Sequence, residues 1–336
     1  MNFLRGNEFI VLMSQHKERA IGFEAYHELT IPEKLQLRVA GIQTSSEQPS
    51  WASIEPSRGQ YNFDYMDRLI HINREADMKT IFHISGWRNP DWMPNEWFSK
   101  TKDGVYEREL LSFWNEEAQE YSDKFYKMLY DKYDDPDIEF VFAEWQGGEG
   151  AMPPSQCYYD NAALEDYRSI FGTSAVPELN TPDTMKWLGD AIIKHFVRKT
   201  EILYPRYKEM WNMQQYLMQR WTPAFGNFVQ TDIIRTYHEL HPDGLVVLLQ
   251  YTYYDDSHTD VDVQYVDMLR GISNCETIVE AMFSKGLPIT TPKAIAHGFR
   301  GQIIHPAREP GAHLENYEIE NIRNSHKLWM KSKGLE

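Results

Sequence analysis

A single (β/α)8 barrel of the TIM type, with long loops after several strands, is the architecture this sequence predicts, on three observations. The chain has 336 residues, a length that suits one barrel carrying insertions. Short β-branched or aromatic runs alternate with longer helical patterns, the signature of a parallel sheet wrapped by helices. No Gly/Ser linker, low-complexity tract or internal repeat interrupts that alternation, so residues 1–336 read as one domain. An open doubly wound sheet is the competing architecture, but no glycine-rich dinucleotide loop follows the first strand.

Taken in order, the first strand is expected at Phe9 to Met13, then a helix near Glu24 to Val39 and a second strand near Gly41 to Ser45. Asp64 to Ala76 reads as a helix with Asp64 as N-cap and Met66, Leu69, Ile70 and Asn73 on one face. Lys79 to Ser85 is the third strand, and the amphipathic helix Glu116 to Tyr133 leads to a fourth at Ile138 to Ala143. Helices follow at Asn161 to Phe171 and Lys186 to Tyr204, then strands at Glu209 to Leu217 and Gly244 to Tyr251. Thr277 to Ala281 and Gln302 to His305 complete the eight strands, and a helix near Glu318 to Lys331 closes the chain. The long connections follow strands two, three and four, and they are rich in Trp, Pro and carboxylates. In barrels the site lies in the loops after the strands' C-terminal ends, so organisation and chemistry point to one face.

Apolar residues make up 42% and charged residues 25%, enough for a sizeable core. A formal net charge of −16 argues against a partner in nucleic acid or anionic lipid, both of which need clustered Lys and Arg. Cys157 and Cys275 are too few for a disulfide framework and read as small buried hydrophobes. The apolar run Phe9 to Met13 is too short for a secretory signal, and no stretch is long enough to span a bilayer; the expected location is the cytoplasm. Twelve histidines show no HExxH or other metal spacing, so neither metal nor cofactor is expected. Ten Trp and twenty Tyr supply flat faces with polar edges, which suit sugar rings.

The strongest local pattern is SWASIEPSRGQYNF, Ser50 to Phe63. Trp51, Glu55, Pro56, Gly59, Tyr61, Phe63 and Asp67 stand at spacings that resemble the second β/α unit of family 42 glycoside hydrolases and related retaining clan A barrels. Glu55, preceding Pro56 in a loop, reads as a turn anchor. KTIFHISGWRNPDWMP, Lys79 to Pro94, is similar to the family's third strand and its P-x-W loop, with Pro90 and Trp92 in place. Trp87 and Trp92 are candidates to stack on sugar, and His83 and Arg88 to bond its hydroxyls. Loop anchoring is the other role open to each.

After the fourth strand, GGEGAMPPS resembles the family's catalytic-acid loop, and YYDNAALEDYR its following helix. The resemblance implies Glu149 as the acid, with Glu144 as the alternative and Trp145 beside them as a substrate contact. Gly148 stands where clan A usually has Asn. The resemblance makes Glu280, ending the apolar run of the seventh strand, the nucleophile. Glu276 precedes that run and is the alternative. Tyr251 and Tyr253 follow strand six, where related barrels place a tyrosine against the nucleophile. His305 occupies the region where the family has Trp, and Arg308, with Glu309 and His313, is a further substrate contact. The resemblance implies a retaining, β-galactosidase-like glycosidase acting on a carbohydrate substrate. An inactive glycan-binding barrel from a polysaccharide or phage-adhesion system and an inverting β-amylase-like enzyme are the alternatives. Oligomeric state is left open.

Overall fold

The computed structural model describes residues 21–25, 29–42, 44–47, 49–84, 89–141, 158–178, 181–203, 209–212, 235–236, 239–240, 242, 245–252, 275–281, 286–296, 298, 302–304 and 315–335. The chain runs through β1 (Ile21–Ala25), α1 (Ile31–Val39), β2 (Thr44–Glu47), a one-turn α2 (Trp51–Ile54), α3 (Asp64–Glu75) and β3 (Lys79–His83). A hairpin of β4 (Phe98–Lys100) and β5 (Tyr106–Leu111) precedes α4 (Glu116–Lys132) and β6 (Ile138–Val141). Next come α5 (Asn161–Phe171), α6 (Pro182–Leu203), β7 (Glu209–Asn212), β8 (Leu245–Thr252) and β9 (Cys275–Ala281). The remaining elements are α7 (Leu287–Ala296), β10 (Gln302–Ile304) and α8 (Asn316–Ser332).

Eight strands form one sheet in the order β6-β3-β2-β1-β10-β9-β8-β7. Every neighbouring pair in it is parallel. The two outer strands, β6 and β7, come within contact range of each other. All C-terminal strand ends therefore lie along one edge, the edge from which the loops to the next helices depart. Among the described residues, no helix is long and apolar enough to cross a membrane.

Two expectations need correction. Phe9–Met13 lies outside the described residues, and a strand, β1, occupies Ile21–Ala25, where a helix was expected to begin. Helix α1 starts at Ile31 because Thr30 and Glu33 form a capping box and Pro32 sits in the first turn. Asp64 is the first residue of α3 and Phe63 its N-cap; the Asn62 carboxamide accepts from the Asp64 N–H at 3.0 Å. The stripe Met66, Leu69, Ile70 and Asn73 is buried as its spacing predicts.

Register assigns the faces, because partners in a parallel pair share a side. Ser45 and Glu47 pair with Thr80 and Phe82, and Phe82 pairs with Phe140. That face carries the helices: Phe82 and Phe140 pack on Tyr133 at 5.9 and 6.4 Å, and Ser45 and Glu47 meet Lys34 and Asn73. Alternate positions belong to the opposite face. There Glu24, Ser46, Ile81 and Glu139 form one register row, and Gly22, Ile303, Glu280 and Tyr251 another. A second core joins α1, α7 and α8 around Leu37, Leu287, Ile322 and Trp329. Gly41, at φ +110°, admits the imidazole of His326 where a Cβ would stand 2.5 Å from the ring.

Between α4 and α6 lies a polar layer. His195 Nδ1 bonds the Gln119 carboxamide oxygen at 2.8 Å, and Lys199 donates to Ser122 and Asp123 at 2.6 Å each. Burial holds the His195 pKa well below the usual imidazole value, and the charges of Lys199 and Arg198 push it the same way. The unfolded chain therefore takes up a proton near pH 6.5 that the folded chain refuses. Stability is expected to fall as pH drops below about 6.5, by up to ~1.4 kcal/mol per pH unit from this one group. Urea unfolding between pH 7.5 and 5 checks this: His195→Gln should show a shallower pH slope, and an unchanged slope rules the group out.

Candidate active site

Of the candidate residues, Glu276, Glu280, Tyr251 and Trp92 lie among the described residues. Glu280 is the next-to-last residue of β9 and the register partner of Tyr251 in β8 and Ile303 in β10. Glu276, expected just before the strand, is its second residue and pairs with Val247 near the opposite edge. The structure thus brings Glu280 and Tyr251 side by side in register at the strand ends and sets Glu276 apart from them.

Glu144, Trp145 and Glu149 lie outside the described residues, as do Trp87, Arg88, Tyr253, His305 and Arg308. Their attachment points are described. Glu144, Trp145 and Glu149 follow Val141 at the end of β6, and Trp87 and Arg88 follow His83 at the end of β3. The stem that re-enters the fold after GGEGAMPPS is firmly held. The Tyr158 and Tyr159 N–H groups both donate to the Lys100 carbonyl, at 3.1 and 2.8 Å. Asp160 then caps α5, accepting from Ala163 N–H at 3.1 Å and the Ser112 hydroxyl at 2.9 Å. Burial raises the Asp160 pKa, against those hydrogen bonds, which lower it.

Glu55 anchors the loop after β2. Its side chain is fully buried and accepts from Trp51 Nε1 at 2.8 Å, Gly59 N–H at 2.7 Å and the Tyr121 hydroxyl. Gly59, at φ +73°, makes the turn that brings its N–H inward. The Tyr121 pKa is raised, first by burial and then by the hydrogen bond and charge of Glu55. Trp92 is half-buried, donates from Nε1 to the Glu55 carbonyl at 3.0 Å, and packs edge-on against Tyr121 at 5.2 Å. Arg58 lies over Tyr121, Trp97 and Trp92 at 5.2, 5.4 and 5.8 Å. Arg108 fixes the same loop from the other side, donating to the carbonyls of Pro90 and Met93 at 2.8 and 2.9 Å. So Trp92 serves the loop anchor, and the stretch bearing Trp87 and Arg88 departs from a braced base. Tyr121→Phe removes one charge-assisted donor from Glu55 and is expected to cost about 2 kcal/mol, read as a lower urea midpoint.

Glu24 was missed by the sequence reading. It is the fourth residue of β1 and the register partner of Ser46, on the same sheet face as the Glu280 position. The capping box at Thr30 was the signal that ends the preceding element before the helix and frees residues 21–25 to form a strand.

Residues 23–172 match the model of glycosyl hydrolase family 42, described as β-galactosidase. No curated protein sequence matches the chain. Among solved structures, the catalytic domain of a β-amylase from Paenibacillus polymyxa matches 91% of this chain and 97% of its own, at 12% identity and a TM-score of 0.61. A cold-adapted β-galactosidase from Rahnella matches 96% of this chain at 13% identity and a TM-score of 0.66. One from psychrophilic Marinomonas matches 94% at 15% identity and a TM-score of 0.59. This chain spans 57% and 61% of the length of those two β-galactosidases. The family match covers the Glu55 loop, the Trp92 loop and the stem after GGEGAMPPS whose geometry is given above, and the chain is similar to that family over this stretch.

Proposed function

We propose that the chain is a retaining glycosidase whose sheet closes into a (β/α)8 barrel across β6 and β7, with residues 1–336 forming one catalytic domain. Its substrate is a carbohydrate with a β-galactoside-like linkage. Glu280 attacks the anomeric carbon while Glu149 gives its proton to the leaving oxygen; water then cleaves the glycosyl-enzyme, and Glu149 takes the proton back. Tyr251 sits beside the nucleophile and holds it in position. Trp87, Arg88, Trp145, Tyr253, His305 and Arg308 bind the sugar from the loops around them. The observation that carries this reading is the register of Glu280 with Tyr251 at the strand ends, along the edge from which the Glu149 loop leaves β6.

A second reading has one specific observation in its favour. A β-amylase catalytic domain shares the fold over 91% of this chain. Under it, GGEGAMPPS surrounds the acid of an inverting enzyme, with the carboxyls about 6.5–9.5 Å apart rather than about 5–5.5 Å. Screening aryl glycosides, followed by NMR of the first-formed anomer, decides between them. The retaining reading expects the substrate's own configuration; the opposite anomer establishes inversion. Hydrolysis of none of them, with glycan binding retained, points to a binding barrel, a reading that Gly148 in place of the family's Asn favours.

A further inference from the structure

A cleft of about 490 Å³ opens between α5, α6 and the turn that enters α4. Among the described residues, none of the candidate catalytic or substrate-binding ones lines it. Its floor is built rather than incidental. One oxygen of the Asp166 carboxylate accepts from both indoles, Trp114 Nε1 at 3.0 Å and Trp187 Nε1 at 2.7 Å. That shared acceptor holds the two rings stacked at 4.6 Å and 24°. Trp187 is buried behind, and the half-buried Phe113, Trp114 and Phe171 form the apolar wall.

The rim is polar and of mixed sign. Lys186 and Asp190 pair with each other at 2.6 Å, and Glu116 is held by Arg198 at 2.6 Å. Asp183 and Lys194 have no ion-pair or hydrogen-bond partner among the described residues, leaving one acceptor and one donor uncommitted about three turns apart on α6. Among the described lining residues, four carboxylates against two ammonium groups disfavour a phosphate or other anion. An apolar wall with separated donors and acceptors suits a neutral molecule having one CH-rich face and a hydroxyl rim. The volume falls within the range of small-ligand sites, enough for one or two sugar rings.

Position strengthens the case. Helix α4 leads into β6 and α6 into β7, and a helix that leads into a parallel strand runs back from the sheet's C-terminal edge, so the starts of α4 and α6, which line the cleft, lie toward the edge carrying Glu280. We infer that this cleft is an accessory binding site for a neutral saccharide chain, holding the substrate outside the candidate catalytic centre; the inference rests on the glycosidase reading for its choice of ligand class.

The test uses the full chain with Glu280→Gln, so that ligand is not consumed, titrated by calorimetry with maltoheptaose and with a β-1,4-linked galactotetraose. Two cleft variants are added separately: Ala191→Trp, which fills the space, and the double substitution Asp183→Ala with Lys194→Ala, which spares the packing. At least a tenfold loss of affinity for one long probe in both variants is expected. In the Glu280 background, hydrolysis of nitrophenyl glycosides by each cleft variant should stay within twofold of the parent. Equal affinities, no binding of either probe by the parent, or a parent dimer that Ala191→Trp dissociates each overturn the inference. Failure of the glycosidase reading looks different: no aryl glycoside is hydrolysed, yet cleft-dependent binding persists.

Discussion

Glu280→Gln is expected to lower kcat by a factor on the order of 10⁴ on every glycoside the protein cleaves. The amide keeps the shape of the carboxylate and loses its nucleophilicity, so substrate affinity should change far less than turnover. Glu149→Gln should behave differently. Removing a general acid costs about 10²–10⁴-fold, and the cost depends on how much the leaving oxygen needs a proton. Alkyl glycosides should therefore lose nearly all activity, while dinitrophenyl glycosides, whose leaving group departs as a stable anion, should retain much of their first step. Azide added to each variant separates the roles further. It replaces the missing nucleophile in a small-side-chain Glu280 variant and gives a glycosyl azide of inverted configuration, whereas Glu149 variants give the retained one. Glu276→Gln, at the far end of β9, is the control and should keep activity near the parent level. Loss of turnover in Glu144→Gln with Glu149→Gln unaffected would move the acid to Glu144.

The legible parts of this fold are those in which a short window determines the outcome. The stripe Met66, Leu69, Ile70 and Asn73 repeats at helical spacing and is buried; Asn161–Phe171 is bounded by Asp160, which caps it, and Gly172 at φ +62°, which ends it. The run ending at Glu280 reads as a strand because β-branched residues dominate it. Strand β1 was hidden because IGFEA carries a glycine and is followed by residues of helical pattern; the decisive cue, Thr30 with Glu33, lies beyond it. Hairpin β4–β5 went unassigned although Asp103-Gly104 marks its turn, with Gly104 at φ +91°. The loop anchor is another matter. Glu55 was expected to fix its turn, but the Tyr121 hydroxyl that completes the site is 66 residues away, on α4. No local pattern specifies a contact that exists only once two β/α units have packed. The same holds for Trp92, whose spacing suits a sugar platform and whose indole is bonded to the Glu55 carbonyl.

Lys34→Met is expected to destabilise the protein by about 3–5 kcal/mol, the largest stability effect among single substitutions proposed for this chain. Sequence alone places Lys34 on a helix, where lysine is ordinarily a solvated surface residue. The structure buries it completely, with its ammonium donating to Glu47 and, at 2.8 Å, to the Ser45 hydroxyl. Glu47 also accepts from the Ser45 hydroxyl at 2.8 Å and from the Asn73 carboxamide at 3.3 Å, and Asn73 reaches on to Thr80 at 2.9 Å. Four elements, α1, β2, α3 and β3, thus meet at one charge pair beneath the sheet. Removing the cation leaves a carboxylate that is 2% exposed without its counter-charge, and desolvation of that lone charge dominates the cost. The converse follows from the same physics. Lys34→Met combined with Glu47→Leu removes both charges, and an apolar pair of similar volume should recover most of the loss. Urea unfolding of the two single variants and the double variant forms the cycle. A coupling well above 1 kcal/mol identifies a buried pair, whereas additive losses would mean that water reaches the site and screens it.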